Sequence, residues 1–385
     1  MTKALASPKK KNTVAKSLAE RPKIDRPLLI VTLVLVIFGL VMMFSASFAS
    51  AYYMYGDGYR YIRKQVLFAA AGIIAMLVAS QVNYHFLHKL AWPLFILAYA
   101  LDALTLLMEP INNARRWIII KNFTFQPSEI MKFAIILLFS HIISTNSNRM
   151  KEFKYGFLLP MSILGAVAVV LLKQPHLSCT LIILCVGCVM LFVGGTKLRY
   201  FFISAGIGIP AVVSYLMATD KMSYVLSRVS TWVGSLTDSS LCGYQTKQSL
   251  IAIGSGGLMG LGLGNSRQKH LYVPEPQNDF IFSIICEELG YIGALFVILL
   301  FVLFVYRGYK IALHARDKFG TMIALGITTL IGLQVLLNIA VVTNTLPNTG
   351  ISLPFFSSGG TSLAMLLAQV GVLLSISRTS SVNNS

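Results

Sequence analysis

PEPQNDFIFSIICEELG, residues 274–290, joins a proline-flanked acid pair, Glu275 and Asp279, to an apolar run that carries two more acids, Glu287 and Glu288. Whether that run crosses a membrane decides the fold. Ionisable side chains at bilayer depth are costly, so there they mark either a fixed partner or a functional site. The rest of the chain points to a membrane. Of 385 residues 56% are hydrophobic and 12% are charged, with a mean hydropathy of +0.72. Soluble domains carry roughly 25% charged residues.

Long apolar stretches recur at 27–49, 66–82, 91–108, 130–145, 156–172, 179–195, 200–218, 280–306, 320–342 and 362–377. Each approaches the roughly 20 residues that cross the hydrocarbon core. The reading is an all-α polytopic membrane protein of ten spans. Residues 1–26 form a basic cytoplasmic tail, expected to be disordered, and 27–377 form one membrane domain. A large extracytoplasmic loop, 219–279, joins spans seven and eight, and 378–385 is a cytoplasmic C-terminal tail. The basic tail precedes a full-length apolar run, which argues against a cleavable signal peptide.

The net charge of +18 raises the question of nucleic acid, and its distribution answers it. With both termini cytoplasmic, 19 of the 32 Lys and Arg residues fall on the cytoplasmic side, 12 on the outer side, and Lys132 within a span. That is the positive-inside bias. The tail PKKKNTVAKSLAERPK reads as an anchor to anionic headgroups rather than a nucleic-acid arm. The five cysteines form no disulfide framework, and CVGC at 185–188 lacks a redox-fold context.

Within the long loop, QSLIAIGSGGLMGLGLG (248–264) is apolar enough to suggest an eleventh span. Six glycines between 254 and 264 make a poor lipid-exposed helix. A further crossing would also turn the basic loop RGYKIALHARDK outward. The segment therefore reads as re-entrant or interfacial, buried against the bundle. Its glycines do not form a Walker loop, because no GK[ST] follows.

Several charges need a chemical reason. Arg115, Arg116 and Lys121, with Arg228, Lys247, Arg267 and Lys269, lie on the side the topology rule disfavours. An anionic ligand would account for them, as Arg donates two hydrogen bonds to a phosphate at once; headgroup contact is the alternative. Glu129 and Lys132 are three apart, near enough to pair on one helical face. Glu287 and Glu288 point about 100° apart, so at least one is expected to hold neighbouring segments together. Asp279 suits either an N-cap of span eight or a partly desolvated carboxylate that takes a proton from an alcohol. The uncharged loop TNTLPNTGISLPFFSSGGTS (343–362) offers hydroxyls and backbone N–H groups to sugar or phosphate oxygens, or else plugs the bundle.

At these motifs the sequence resembles the SEDS family of bacterial cell-wall polymerases, over nearly all of 27–377. ARRWI (114–118), QPSEIMKF (126–133), GYQTKQSLIAIGSGGLMGLGLGNSRQK (243–269), PEPQNDFIFSIICEELG and PNTGISLPFFSSGGTS (347–362) carry the resemblance, nearer the FtsW and SpoVE branches than RodA. It implies an inverting peptidoglycan glycosyltransferase that polymerises lipid II at the outer membrane face, for division or sporulation. Asp279 would be the general base and undecaprenyl pyrophosphate the leaving group. Arg115, Arg116, Trp117, Glu129, Lys132, Gln245, Gln248, Ser249, Lys269, Glu275, Ser358 and Thr361 are the expected substrate contacts. A divalent cation, Mg2+ or Mn2+, is an optional companion, and no organic cofactor is expected. The expected partners are lipid II and nascent glycan, a class B penicillin-binding protein, and further divisome or sporulation proteins.

Two departures stand out. The family's QPDLGT reads QPHLSCT here (174–180), so His176 replaces an acid and leaves Lys132 either to Glu129 alone or to a weakened site. WVGSLTDSSLCGYQ (232–245) also departs, and Asp238 is assigned no role. The rival functions are a lipid II flippase, whose site should sit near the midplane on broken helices, and a scaffold without chemistry of its own.

Overall fold

Helix formation begins where the apolar pattern starts. The Asp25 carboxylate accepts from the Leu28 N–H at 2.9 Å and opens α1 (Arg26–Tyr55), which ends at Gly56 in the left-handed region. The structure, a computed structural model, describes residues 24–110, 114–120, 123–218, 222–238 and 241–380. The two tails lie largely outside these residues, and so does Lys121.

After α1 come α2 (Arg60–Gln81) and α3 (Phe86–Thr105), then a ribbon of β1 (Ile118–Ile120) and β2 (Phe123–Phe125). The strands are antiparallel, pairing Ile118 with Phe125 and Ile120 with Phe123. Next are α4 (Pro127–Thr145), α5 (Leu159–Lys173, extended at its start by a π-turn from Lys154), α6 (Leu177–Gly194) and α7 (Leu198–Ala218). Two shorter helices, α8 (Met222–Thr237) and α9 (Tyr244–Ser255), precede α10 (Ile281–Leu313), α11 (Lys318–Val342) and α12 (Gly360–Thr379). Among the described residues ten helices are long and apolar enough to cross a membrane. They coincide with the ten spans read from the sequence.

The spans are not equivalent. α4 is the hub, 72% buried over its apolar window and packed on α3, α6 and α11. α2 lies along α12, and α1 packs on both α2 and α10. α7 is 6% buried and stands at the periphery. At one end of the bundle Arg307 pairs with the buried Asp25, whose backbone N–H donates to Ser377, tying α1, α10 and α12 together. At the other end lie the ribbon, α8, α9 and the loops 256–280 and 343–359. This second end holds the cavity described below.

The segment 248–264 does not cross the bundle; α9 has 12 residues and the glycine turn that follows folds back on α10. α10 is broken at Gly290, with φ 67° and ψ −166°. In an unbroken helix the Tyr291 and Ile292 N–H groups would bond Glu287 and Glu288 carbonyls. Here the N–H groups of Leu261 and Gly262 occupy those two carbonyls at 2.9 Å each, while Tyr291 and Ile292 donate to the carbonyls of Gly257 and Leu258. The glycine turn thus repairs the gap it opens, which is how irregular backbone survives at membrane depth. The close approach requires bare backbone: a Cβ on Gly260 would lie 2.2 Å from the Glu288 carbonyl oxygen.

Candidate active site

Asp279 sits one residue before the cap of α10, on a loop tied down from two sides. The Asn338 side chain, from α11, donates to the Asp279 carbonyl at 2.8 Å and to the Ile351 carbonyl at 2.6 Å. Ser357 donates to the Asn278 carbonyl at 2.7 Å, and the Ser358 N–H donates to the Gln277 carbonyl at 2.8 Å. Pro276 and Gln277 are buried. The final loop therefore grips the PEPQND backbone and leaves the Asp279 side chain to face the space between them. Gly350, with φ 66°, permits this approach: a Cβ there would stand 3.1 Å from the Asp279 carboxylate.

That space is a cavity of about 550 Å³, within the range of small-molecule sites. Its far wall comes from the ribbon and the start of α4. Arg116 donates to the carbonyls of Gln174 and Pro175, which fixes its guanidinium beside Asp279 and His176. Trp117 and Thr124 line the same wall. In the first turns of α4, Lys132 and Glu129 pair at 2.8 Å, with 6% and 12% of their side-chain surfaces exposed. The other oxygen of Glu129 accepts from Ser362 at 2.9 Å. Of the two outcomes open for Lys132, the geometry takes the first: Glu129 balances it. His176 borders the cavity, with Nδ1 buried and without a partner among the described residues. Burial, with Arg116 and Lys132 nearby, pushes its imidazole well below the ordinary value, so it is neutral at pH 7.

Asp279 does not cap α10. Phe280 occupies the cap position without a side-chain hydrogen bond, and among the described residues no donor bonds the Asp279 carboxylate. Desolvation by burial, then repulsion from Glu275, pushes its carboxyl up to about 6 against a smaller opposing pull from Arg116. A carboxylate of that strength is ionised at neutral pH yet basic enough to accept a proton.

Glu287 and Glu288 serve differently. Glu287 accepts from the N–H groups of Arg267 and Gln268 and from the Ser266 hydroxyl. Glu288, fully buried, accepts from Ser45 at 2.7 Å and pairs with Lys269 at 2.9 Å. Together they clamp the turn 264–269 to α10 and α1.

Of the twelve residues expected to touch substrate, seven line the cavity: Arg116, Trp117, Glu129, Lys132, Glu275, Ser358 and Thr361. Five do not. Lys269 faces away and is paired to Glu288. Gln245 accepts from Asn348, and Ser249 donates to the Val342 carbonyl, because α9 packs on α10 and α11 and not over the cavity mouth. Gln248 is half-buried on the same helix. Arg115 turns outward to the Leu106 carbonyl. The sequence reading missed Lys64 and Gln65 of α2 and Gln334 of α11, which also line the cavity. Polar side chains inside apolar runs were the available signal. Among the described residues no three His, Cys, Asp or Glu side chains gather as a metal cage. Besides the paired Glu129, the carboxylates that line the cavity are Asp279 and Glu275.

Ten apolar helices around a one-ended cavity, with an uncapped carboxylate facing fixed cations, define a multi-pass membrane protein with an enzyme-like site. The chain belongs to the family of cell cycle proteins that takes in FtsW, RodA and SpoVE, whose sequence profile matches residues 25–382. It is 38% identical to stage V sporulation protein E of Bacillus subtilis (strain 168) over 361 residues, 92% of this chain and 97% of that one. It is 40% identical to the probable peptidoglycan glycosyltransferase FtsW of Geobacter sp. (strain M18) over 360 residues, 92% of this chain and 96% of the relative. In structure it is similar to the rod shape determining protein RodA of Thermus thermophilus, with a TM-score of 0.67, 25% identity, and coverage of 92% of this chain and 97% of that one. A chain from a peptidoglycan synthase complex, studied for its coordination of polymerization and crosslinking, shares the fold with a TM-score of 0.75 and 24% identity, over 92% of this chain and 98% of its own.

Proposed function

We propose that this protein is a peptidoglycan glycosyltransferase that polymerises lipid II, with its cavity on the extracytoplasmic face and both termini in the cytoplasm. The observation that carries the reading is the Asp279 carboxylate, uncapped, its backbone held by α11 and the final loop, raised to about 6 and sharing the cavity with Arg116. Asp279 takes the proton from the 4-hydroxyl of the acceptor N-acetylglucosamine. The oxygen attacks the anomeric carbon of the donor N-acetylmuramic acid from the face opposite the pyrophosphate. The carbon–oxygen bond to undecaprenyl pyrophosphate breaks, and a β-1,4 bond forms with inversion. Negative charge grows on the departing pyrophosphate, where preorganised cations are most effective. Arg116 and Lys132 supply them. A divalent cation carried by the pyrophosphate would add charge neutralisation, and Glu275, rather than the base Asp279, is the cavity carboxylate that would hold it. We further propose a class B penicillin-binding protein as the crosslinking partner.

A transporter would be expected to hold its charged groups near the bilayer midplane; here they gather at one end of the bundle. The decisive test is polymerisation of labelled lipid II by purified wild-type protein and Asp279→Asn, each with and without a cognate transpeptidase. Glycan strands from the wild type alone support the mechanism. Equal strand synthesis by Asp279→Asn removes the base. No strands from either, with flipping of lipid II in vesicles, replaces the polymerase by a transporter.

A further inference from the structure

The cavity is too small for more than the reacting sugar ends and the pyrophosphate, so a growing strand must run over the surface beyond it. One rim of the cavity is unlike the others. Tyr61, Lys64 and Gln65, in the first turns of α2, line the cavity itself. From Tyr61 an aromatic path leads outward: the Tyr55 ring meets it edge-on at 6.2 Å, and the Arg60 guanidinium lies 4.2 Å over Tyr55. Tyr52, Tyr53, Tyr55 and Tyr59 are each at least 50% exposed.

These rings are not loosely held. Tyr59 stacks on Phe44 at 5.6 Å and meets Phe48 edge-on at 5.8 Å. Arg63 pairs with Asp57 at 3.2 Å and lies over Tyr59. Tyr53 reaches the His270 ring at 6.5 Å, which carries the strip on to the clamped turn beyond Lys269.

Exposed tyrosines at the end of a membrane helix commonly sit in the headgroup belt. Here the length of α1 and the contact with Tyr61 set the strip beside the cavity rim. The 30 residues of α1 measure about 45 Å at about 1.5 Å per residue, against a hydrocarbon core of roughly 30 Å. Its other end is pinned by the Asp25–Arg307 pair. The last turns therefore rise beyond the hydrocarbon core, to the polar level at which Tyr55 meets Tyr61 at the cavity rim.

Resting on the glycosyltransferase reading, we propose that the end of α1 and the first turn of α2 form a track for the growing glycan strand, continuous with the cavity through Tyr61. The chemistry fits on two counts. A pyranose ring presents an apolar face of axial C–H groups, which packs on an aromatic ring. The stem peptides carry carboxylates, which Arg60 and Arg63 meet. A track of this kind holds the strand between additions, so it sets strand length and leaves the rate of bond formation to the cavity.

The test separates the two. Tyr55→Ser/Arg60→Ser and Tyr52→Ser/Tyr55→Ser proteins, with no change to the cavity wall, are assayed for initial lipid II consumption and for strand length on gels. Binding of preformed, lipid-free uncrosslinked glycan oligomers is measured on the same proteins and on Asp279→Asn. The track predicts strands several-fold shorter at an unchanged initial rate, weaker oligomer binding by the tyrosine and arginine variants, and retained binding by Asp279→Asn. Unchanged strand length and binding in both variants overturn it, as does a loss confined to thermal stability in nanodiscs, the mark of a headgroup anchor. Because oligomer binding needs no turnover, a wild type that binds oligomers through these residues but makes no strands, even with a transpeptidase, rejects the glycosyltransferase reading and with it the track for a growing strand, leaving the strip as a glycan-binding surface.

Discussion

Within ten residues of one segment, the half-buried Asp279 and the buried pair Glu287–Glu288 show two opposite uses of an acid. Glu288 meets Lys269 at 2.9 Å and Ser45 at 2.7 Å, and Glu287 collects backbone N–H groups from a turn about twenty residues away. Each of their four carboxylate oxygens has at least one donor, which is the condition under which a buried charge holds structure together. Asp279 is desolvated too, without that remedy. Its backbone is held and its carboxylate is left open, so the carboxyl stays up at about 6. The satisfied acids fasten the fold; the unsatisfied one keeps its capacity to react.

The comparison can be broken at several points. Asp279→Asn is expected to lower the polymerisation rate by about 10²–10⁴, the usual worth of a general base, with normal membrane insertion. The same change should raise thermal stability. A carboxyl pushed from 3.8 to about 6 binds its proton more tightly folded than unfolded, so its ionisation costs stability as pH rises between those values. At pH 7 the whole cost is present, and removing the charge should return about 1–3 kcal/mol. Melting curves at pH 5 and pH 7 check the sign: the gain should be larger at pH 7.

Glu288→Ala should act in the opposite sense, costing about 3–5 kcal/mol because Lys269 is left buried without its partner. Melting temperature and yield should fall together, whereas any protein that survives should show an unchanged pH profile. Gly350→Ala adds a Cβ 3.1 Å from the Asp279 carboxylate at a positive φ; turnover should drop about tenfold, the effect of a small misplacement of a reacting group. Glu275→Gln removes a repulsion that raises Asp279, so the acid limb of the rate profile, with its midpoint near pH 6, should move to lower pH. Arg115→Ala should change rate and stability least, within about 0.5 kcal/mol, because its side chain turns away to the Leu106 carbonyl.

The membrane helices were legible because a bilayer demands long apolar runs and little else does. Their ends were less so: α1 continues to Tyr55, six residues past its apolar stretch, since nothing before Gly56 stops it. The ribbon β1–β2 was missed, although the β-branched and aromatic runs III (118–120) and FTF (123–125) have an ordinary strand composition. Helix α8 was read as loop, although Leu226, Val229, Val233 and Leu236 recur at helical spacing and share an exposed face. In the site, Glu129 with Lys132 was readable from a spacing of three. The placement of Lys269 was not. Its partner lies 19 residues on, and the two meet only because α10 breaks at Gly290 and admits the glycine turn. Contacts that depend on a break in regular structure leave little trace in periodicity.

That break also gives the molecule a built-in reporter. The amides of Tyr291 and Ile292 are bonded to Gly257 and Leu258, not to their own helix. When the glycine turn lifts, two N–H groups and two carbonyls of α10 lose their partners at once, so the lifting is a single, cooperative opening. Hydrogen exchange at these two positions would time the motion of a segment some thirty residues distant in sequence, and so measure how firmly the clamp closes around the bundle while the chemistry next to it proceeds.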